Sequence, residues 1–265
     1  MTSHRASRPP LSRWLVSIST LLLFAVPAAA RETMIDLDLY ARLLENHTRA
    51  VSDLVGTRVD YRSLDRSQDW DRLVRQVRAA KPSSLTRDQK LAFWINAYNI
   101  LAIELVREHY PIDGIKRIGS FFSPVWDRQV ASIEGRTISL GTIEHEILRK
   151  MDEPRIHAAI VCASVSCPPL ARTPFRAATL DADLSAAMRS WLASREKGIA
   201  IDRENGVVRL SKVFDWFEAD FESRGGVLPT IARYLEADDA AWLRGPGKDA
   251  SIRYFDYDWS LNDLR

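Results

Sequence analysis

The chain has 265 residues, 46% of them hydrophobic and 27% charged, with a formal net charge of +2. This is an ordinary globular balance and excludes collagen-like, low-complexity and intrinsically disordered classes. The small net charge gives no electrostatic case for nucleic acid as a partner.

The first residues read as a targeting segment. Arg5, Arg8 and Arg13 precede an apolar run from Trp14 to Val26, and Ala28, Ala29 and Ala30 supply the small residues a signal peptidase needs. A cleaved signal peptide over residues 1–30, cut after Ala30, predicts a periplasmic or secreted protein. The run is short for a span, and no later apolar stretch reaches that length, so no stable membrane span is expected after cleavage. Without its three leader arginines the remaining chain carries a formal charge of −1. An oxidising compartment permits disulfides, which makes the two cysteines informative.

Residues 31–265 read as a single globular domain. Asp36 to Val51 has leucines at helical spacing, and Val59–Tyr61 is a short extended piece. Asp65 to Ala80 is a second helix with Trp70, Leu73, Val74 and Val77 on one face. Thr86, with Gln89 three residues on, forms a capping box that opens a central helix running to about His109, where Pro111 prevents continuation. Its stretch LAFWINAYNILAIELV, from Leu91 to Val106, is apolar nearly all round and so predicts a helix buried among the other elements. Gly119 to Pro124 is an aromatic loop. Gln129–Ile133 and Arg136–Ser139 make a hairpin, followed by a helix through Lys150 that carries Glu144 and His145. The apolar run Arg155 to Ala163 reads as a buried strand ending in a constrained turn, Ser164 to Pro169. Asp181 to Ser194 is helical. Ile199–Asp202 and Val207–Leu210 flank an Asn-Gly turn signal. Two more helices, Val213–Phe221 and Leu228–Leu235, and a strand at Ile252–Tyr257 complete the chain. The fold class expected is α+β, helix-rich around the buried helix with a small, mostly antiparallel sheet.

Candidate chemistry is densest at His157, Cys162, Ser164, Ser166 and Cys167. On a regular strand His157 and Cys162 face opposite sides, which disfavours a dyad between them. For the cysteines three readings stand. They form a disulfide, or Cys167 is a thiolate nucleophile served by His145 or His157, or both are plain buried residues; compartment and the even count favour the bridge. Asn96 and Asn99 share one face of the central helix, either as one wall of a polar cleft or as ties for nearby irregular backbone, the latter favoured. Glu144 and His145 are adjacent on a helix and so point apart, and the segment lacks the second histidine of a zinc motif. No phosphate loop or nucleophile elbow appears, and neither a metal nor any other cofactor is expected.

The stretches AFWINAYN, SFFSPVW, GTIEHEILR, IHAAIVCASVSCPPL, SKVFDWF and YDWSLN together resemble the family catalogued as domain of unknown function 547, over a core of about residues 85–235. The resemblance implies exported bacterial relatives and plant relatives fused to other modules, and it carries no settled activity. The plant branch places serine at the position of Cys167, so the resemblance points to His157 and Asn96 as the shared site. The site expected from all this is a polar cleft. Cys167 or Ser166 is its nucleophile, His157 or His145 with Glu144 the acid–base groups, and Asn96 the orienter. Asn99, Ser164, Cys162 and Arg172 contact a small-molecule or peptide ligand. The activity expected is hydrolysis or acyl transfer on a peptide or cell-envelope substrate; the rival is a non-catalytic binding or assembly module.

Overall fold

The computed structural model describes residues 1, 35–120 and 122–264; the rest of the predicted signal segment, Phe121 and Arg265 lie outside the described residues. Asp36 caps the first helix, α1 (Leu37–His47), by accepting the Leu39 N–H at 2.9 Å. The helix stops sooner than its apolar spacing predicts, because the chain turns into β1 (Thr48–Ala50), paired antiparallel with β2 (Thr57–Val59). An unpredicted single turn, α2 (Tyr61–Leu64), precedes the second predicted helix, which is α3 (Gln68–Ala79) and starts three residues later than expected, where its cap Ser67 accepts the Trp70 N–H.

The central helix, α4 (Arg87–Arg107), has the capping box of Thr86 and Gln89, and every residue from Leu91 to Val106 is buried. Its acidic residue, Glu104, is balanced in place. The carboxylate accepts the Trp70 indole N–H at 2.9 Å and two N–H groups of Arg107 at 2.7 and 3.0 Å, so the charge is paired rather than stranded. The hairpin of β3 (Gln129–Ile133) and β4 (Arg136–Ser139) follows as expected. The segment after it is a π-helix, Thr142–Leu148, and one 3-10 turn.

Residues 155–163 are not a strand. Ile156–Ala159 forms one helical turn, α5, anchored by His157 N–H to Pro154 O and Ile160 N–H to Ile156 O. The chain then runs extended without a strand partner. Asn99 takes the partner's place: its amide donates to Ala159 O and accepts Val161 N–H, both at 2.8 Å. A side chain from the buried helix therefore satisfies the backbone groups that a neighbouring strand would otherwise have to satisfy.

Helix α6 (Leu180–Leu192) packs on α5. The hairpin β5 (Ile199–Asp202) and β6 (Val207–Leu210) is joined by β7 (Ser251–Tyr254), which pairs parallel to β6. Between them lie α7 (Val213–Trp216), a 3-10 stretch (Glu218–Arg224), α8 (Val227–Ile231) and α9 (Ala237–Arg244). About half of the described residues are helical, and their strands form three small sheets, so the class is α+β. One apolar cluster surrounds α4; a second gathers α6, β5, β6 and the later helices around Trp191, Phe214 and Phe221. No helix among the described residues is long and apolar enough to cross a membrane.

The tail ties the ends of the fold together. Val165 N–H donates to Ser260 O, Asn262 N–H to Ala163 O and Leu264 N–H to Val59 O, and the Tyr61 hydroxyl donates to the Asn262 side chain at 2.7 Å.

Candidate functional site

A cavity of about 130 Å³ opens where α4, the π-helix, α5, the Ser164–Cys167 turn, α7 and the tail meet. Glu144, His145, His157, Cys162, Cys167, Tyr98 and Tyr257 line it, and Trp126, Trp216, Phe217 and Trp259 form its aromatic wall.

His157 is at the centre. Its ring is buried and stacks on Phe217, with centroids 4.2 Å apart. Its Nε2 lies 2.7 Å from Asp220 Oδ2, and its Nδ1 lies 3.9 Å from Glu144 Oε1. Asp220 sits on the 3-10 stretch after α7 and is held from the other side by Arg149, which donates to both carboxylate oxygens at 2.7 Å. Partial burial opposes the Asp220 charge, but the bonds from His157 and Arg149 outweigh it and hold the carboxyl well below the usual carboxylate range. An ionised Asp220 can only accept, so His157 carries its proton on Nε2, and a neutral ring offers its lone pair at Nδ1. The ring is kept neutral because burial lowers its basicity by more than Asp220 restores it.

Glu144 is the opposite case. Burial pushes its carboxyl up to about 7, against the opposing effects of the Tyr98 hydroxyl, which donates to Oε2 at 3.4 Å, and of Arg149. A carboxylic acid and an imidazole base thus face each other with one proton between them near neutral pH. Glu144 and His145 are adjacent on a π-helix, and both line the cavity, although their neighbouring positions were expected to point apart. Such segments are frequent at functional sites. His145 accepts an N–H from Arg149 at Nδ1, 3.2 Å away, and burial with that cation keeps it below the usual imidazole range.

Cys162 and Cys167 are bridged, with Cα atoms 6.2 Å apart, inside the usual disulfide range. A bridged sulfur is no thiolate, so in this state Cys167 is not the nucleophile that the sequence nominated. Because α5 is a helical turn and not a strand, His157 and Cys162 both reach the cavity instead of facing apart. The turn between the cysteines holds Ala163 at φ +60°, a conformation unfavourable for an L side chain and common where a site imposes it.

The remaining candidates go elsewhere. The Asn96 amide is closed on one residue, donating to Phe175 O at 2.8 Å and accepting Phe175 N–H at 3.0 Å. Asn99 is closed on α5 as described, so neither asparagine walls the cavity. Ser166 is buried and its Oγ accepts the Asp258 N–H at 2.9 Å. Arg172 donates to Thr48 Oγ1 and lines a separate groove. Ser164 is buried behind the bridge, its Oγ 3.1 and 3.2 Å from the two sulfurs, and does not line the cavity. Sequence reasoning missed Asp220, Arg149, Tyr98 and Tyr257. Asp220 carried no local signal, being one acid among Glu218, Asp220 and Glu222. Among the described residues no group of three or more His, Cys, Asp or Glu side chains could hold a metal ion.

Fold and site thus define an α+β protein with an acid–base cavity built on a buried helix. Residues 82–192 match the model of a family described as protein of unknown function, DUF547. The matched segment supplies Tyr98, Glu144, His145, His157 and both cysteines; Asp220 and the tail aromatics come from outside it. No curated protein and no solved structure matches the chain.

Proposed function

We propose that this is an exported hydrolase or acyl transferase acting on a small peptide or cell-envelope substrate through general acid–base chemistry at Glu144 and His157. The observation that carries the reading is the pairing across the cavity: an Asp220-anchored imidazole with Nδ1 free, 3.9 Å from a carboxylic acid that titrates near neutrality. His157 Nδ1 takes the proton of an attacking water or acceptor hydroxyl. Glu144 gives its proton to the departing group. The imidazolium and carboxylate left side by side return to the starting state when the proton crosses between them. The Tyr98 hydroxyl, which donates to Glu144 Oε2, steadies the carboxylate left after the proton transfer. The aromatic wall holds the apolar part of the ligand and keeps water down.

The test is a panel of peptides, muropeptides and acyl esters offered to the wild type, Glu144→Gln and His157→Gln. Turnover with a bell-shaped pH profile, reduced about 100-fold or more in both variants while binding persists, supports the reading. A panel ligand that quenches the cavity tryptophans but is never turned over by the wild type assigns the cavity to a binding module instead.

A further inference from the structure

The cavity wall holds a second kind of chemistry that the acid–base pair does not use. Cys167 Sγ is surrounded by hydrogen-bond donors. The Cys162 backbone N–H reaches it at 3.0 Å and the Tyr257 hydroxyl donates to it at 3.3 Å; the Ser164 hydroxyl, 3.2 Å from this sulfur and 3.1 Å from Cys162 Sγ, donates to the Tyr257 oxygen. A sulfur in a disulfide gains little from such donors, whereas a thiolate gains much, since hydrogen bonds to a charged acceptor are about twice as strong as neutral ones. The two sulfurs also differ in access: Cys167 is buried, while Cys162 is only partly so, and both line the cavity.

The bridge is also not what holds the turn. Lys197, itself buried, donates from Nζ to Cys167 O at 2.7 Å, to Val55 O at 2.8 Å and to Val165 O at 3.2 Å. Val165 and Ser166 N–H groups donate to the tail carbonyls of Ser260 and Asp258, and Cys167 N–H to Ser164 O. A ring closed by a sequence separation of five adds only about 2 kcal/mol by loop entropy. The backbone around the sulfurs is therefore fixed by other groups, and breaking the bridge leaves their cradle standing.

We infer that Cys162–Cys167 is a reversible redox site for a small external thiol, with Cys162 the attacked sulfur and Cys167 the leaving thiolate. The thiolate of the incoming molecule adds to Cys162 Sγ, the S–S bond breaks, and its electron pair leaves on Cys167 Sγ, where the Cys162 N–H and the Tyr257 hydroxyl receive it. A second molecule of the thiol attacks the external sulfur of the mixed disulfide and releases Cys162. Two thiols are oxidised to one disulfide, and the protein bridge is reduced by two electrons. A small disulfide reverses the sequence. A cavity of about 130 Å³ admits a small thiol and excludes a folded protein. This inference is independent of the hydrolase reading.

The experiment treats the native protein with dithiothreitol at pH 7, quenches with acid, and counts alkylated cysteines by mass. The expected result is full reduction without denaturant, an unchanged circular dichroism spectrum, and return of the same bridge on removing the reductant. Tyr257→Phe slows reduction by about tenfold, the worth of one charge-assisted hydrogen bond at the leaving sulfur. On the reduced wild type, the pH profile of iodoacetamide alkylation places the Cys167 thiol below the free-thiol value of about 8.5, a readout that needs no variant. A bridge that yields only in denaturant, or whose reduction unfolds the protein, overturns the inference and makes it a structural staple. So does a Cys167 thiol titrating at or above the free value. Failure here leaves the turnover assay at Glu144 and His157 untouched.

Discussion

Replacing Glu144 by glutamine, an isostere that cannot ionise, isolates what the cavity costs the fold. Burial holds the Glu144 carboxyl up at about 7 in the folded chain, against 4.5 for an ordinary glutamate. At about 1.4 kcal/mol per pKa unit, the ionised side chain is disfavoured in the fold by about 3 kcal/mol. The sign follows from proton uptake. Below about pH 4.5 both states hold the proton and nothing is lost. Between about 4.5 and 7 the unfolded chain releases it while the folded chain keeps it, so stability falls as pH rises. Above 7 both are ionised and the whole penalty stands. Glu144→Gln removes that penalty. Urea unfolding of both proteins, followed by circular dichroism at pH 4.5, 6 and 8, should show the variant gaining on the wild type by about 3 kcal/mol across the range. Comparing the two at each pH cancels every other titrating group. A difference that does not change with pH would refute the buried-acid assignment and with it the general acid of the proposed mechanism. A more stable but inactive variant is the usual signature of a strained functional group.

Two further substitutions test the frame around the cavity. Asn99→Leu keeps the volume of the side chain but leaves Ala159 O and Val161 N–H buried without partners, so it should lower stability by about 3 kcal/mol in urea unfolding. A loss below about 1 kcal/mol would mean that water replaces the amide and that α5 is not pinned by α4. Asp220→Asn takes away the anion that His157 and Arg149 share. Its carboxyl is held low in the fold, so its contribution is present above the unfolded carboxylate range and fades as pH falls below it. The variant should lose about 3 kcal/mol at pH 7 and progressively less in acid. The His157 imidazole, followed by NMR, should titrate at still lower pH without the anion.

The central helix was legible because its signals are local: a capping box at Thr86 and Gln89, then sixteen residues with three polar side chains. Both hairpins were legible for the same reason, through their Glu-Gly and Asn-Gly turns. The run from Arg155 to Ala163 was not. A short apolar stretch fits a buried strand and a buried helical turn equally well, and what decides it is Asn99, some sixty residues away, which supplies the bonds of an absent strand. The strand assumption then separated His157 from Cys162, which the structure brings to one cavity. The even cysteine count favoured the bridge that the structure shows between Cys162 and Cys167. Asp220 stayed hidden because its role is set by the position of α7 against the π-helix, and the pattern around it is only a charged surface turn. The two asparagines were read correctly as ties for irregular backbone, and that reading removes them from the cleft for which they had been nominated.

The tail clamp bears on how the molecule comes into being. Translation delivers the chain from its amino end, and the earlier parts can begin folding as they emerge. Tyr257 and Trp259, which close the cavity, are made after Glu144, His157 and the two cysteines, and the bond from Tyr61 to Asn262 spans 201 positions. Contacts between such distant positions form late, because a long loop must close before they stabilise anything. A nascent chain paused before Tyr257 therefore carries Glu144, His157 and the two sulfurs with one wall missing, and the turn from Ser164 to Cys167 lacks its tail carbonyls. The reactive groups are assembled into working order only once Tyr257 and Trp259 have been made and docked.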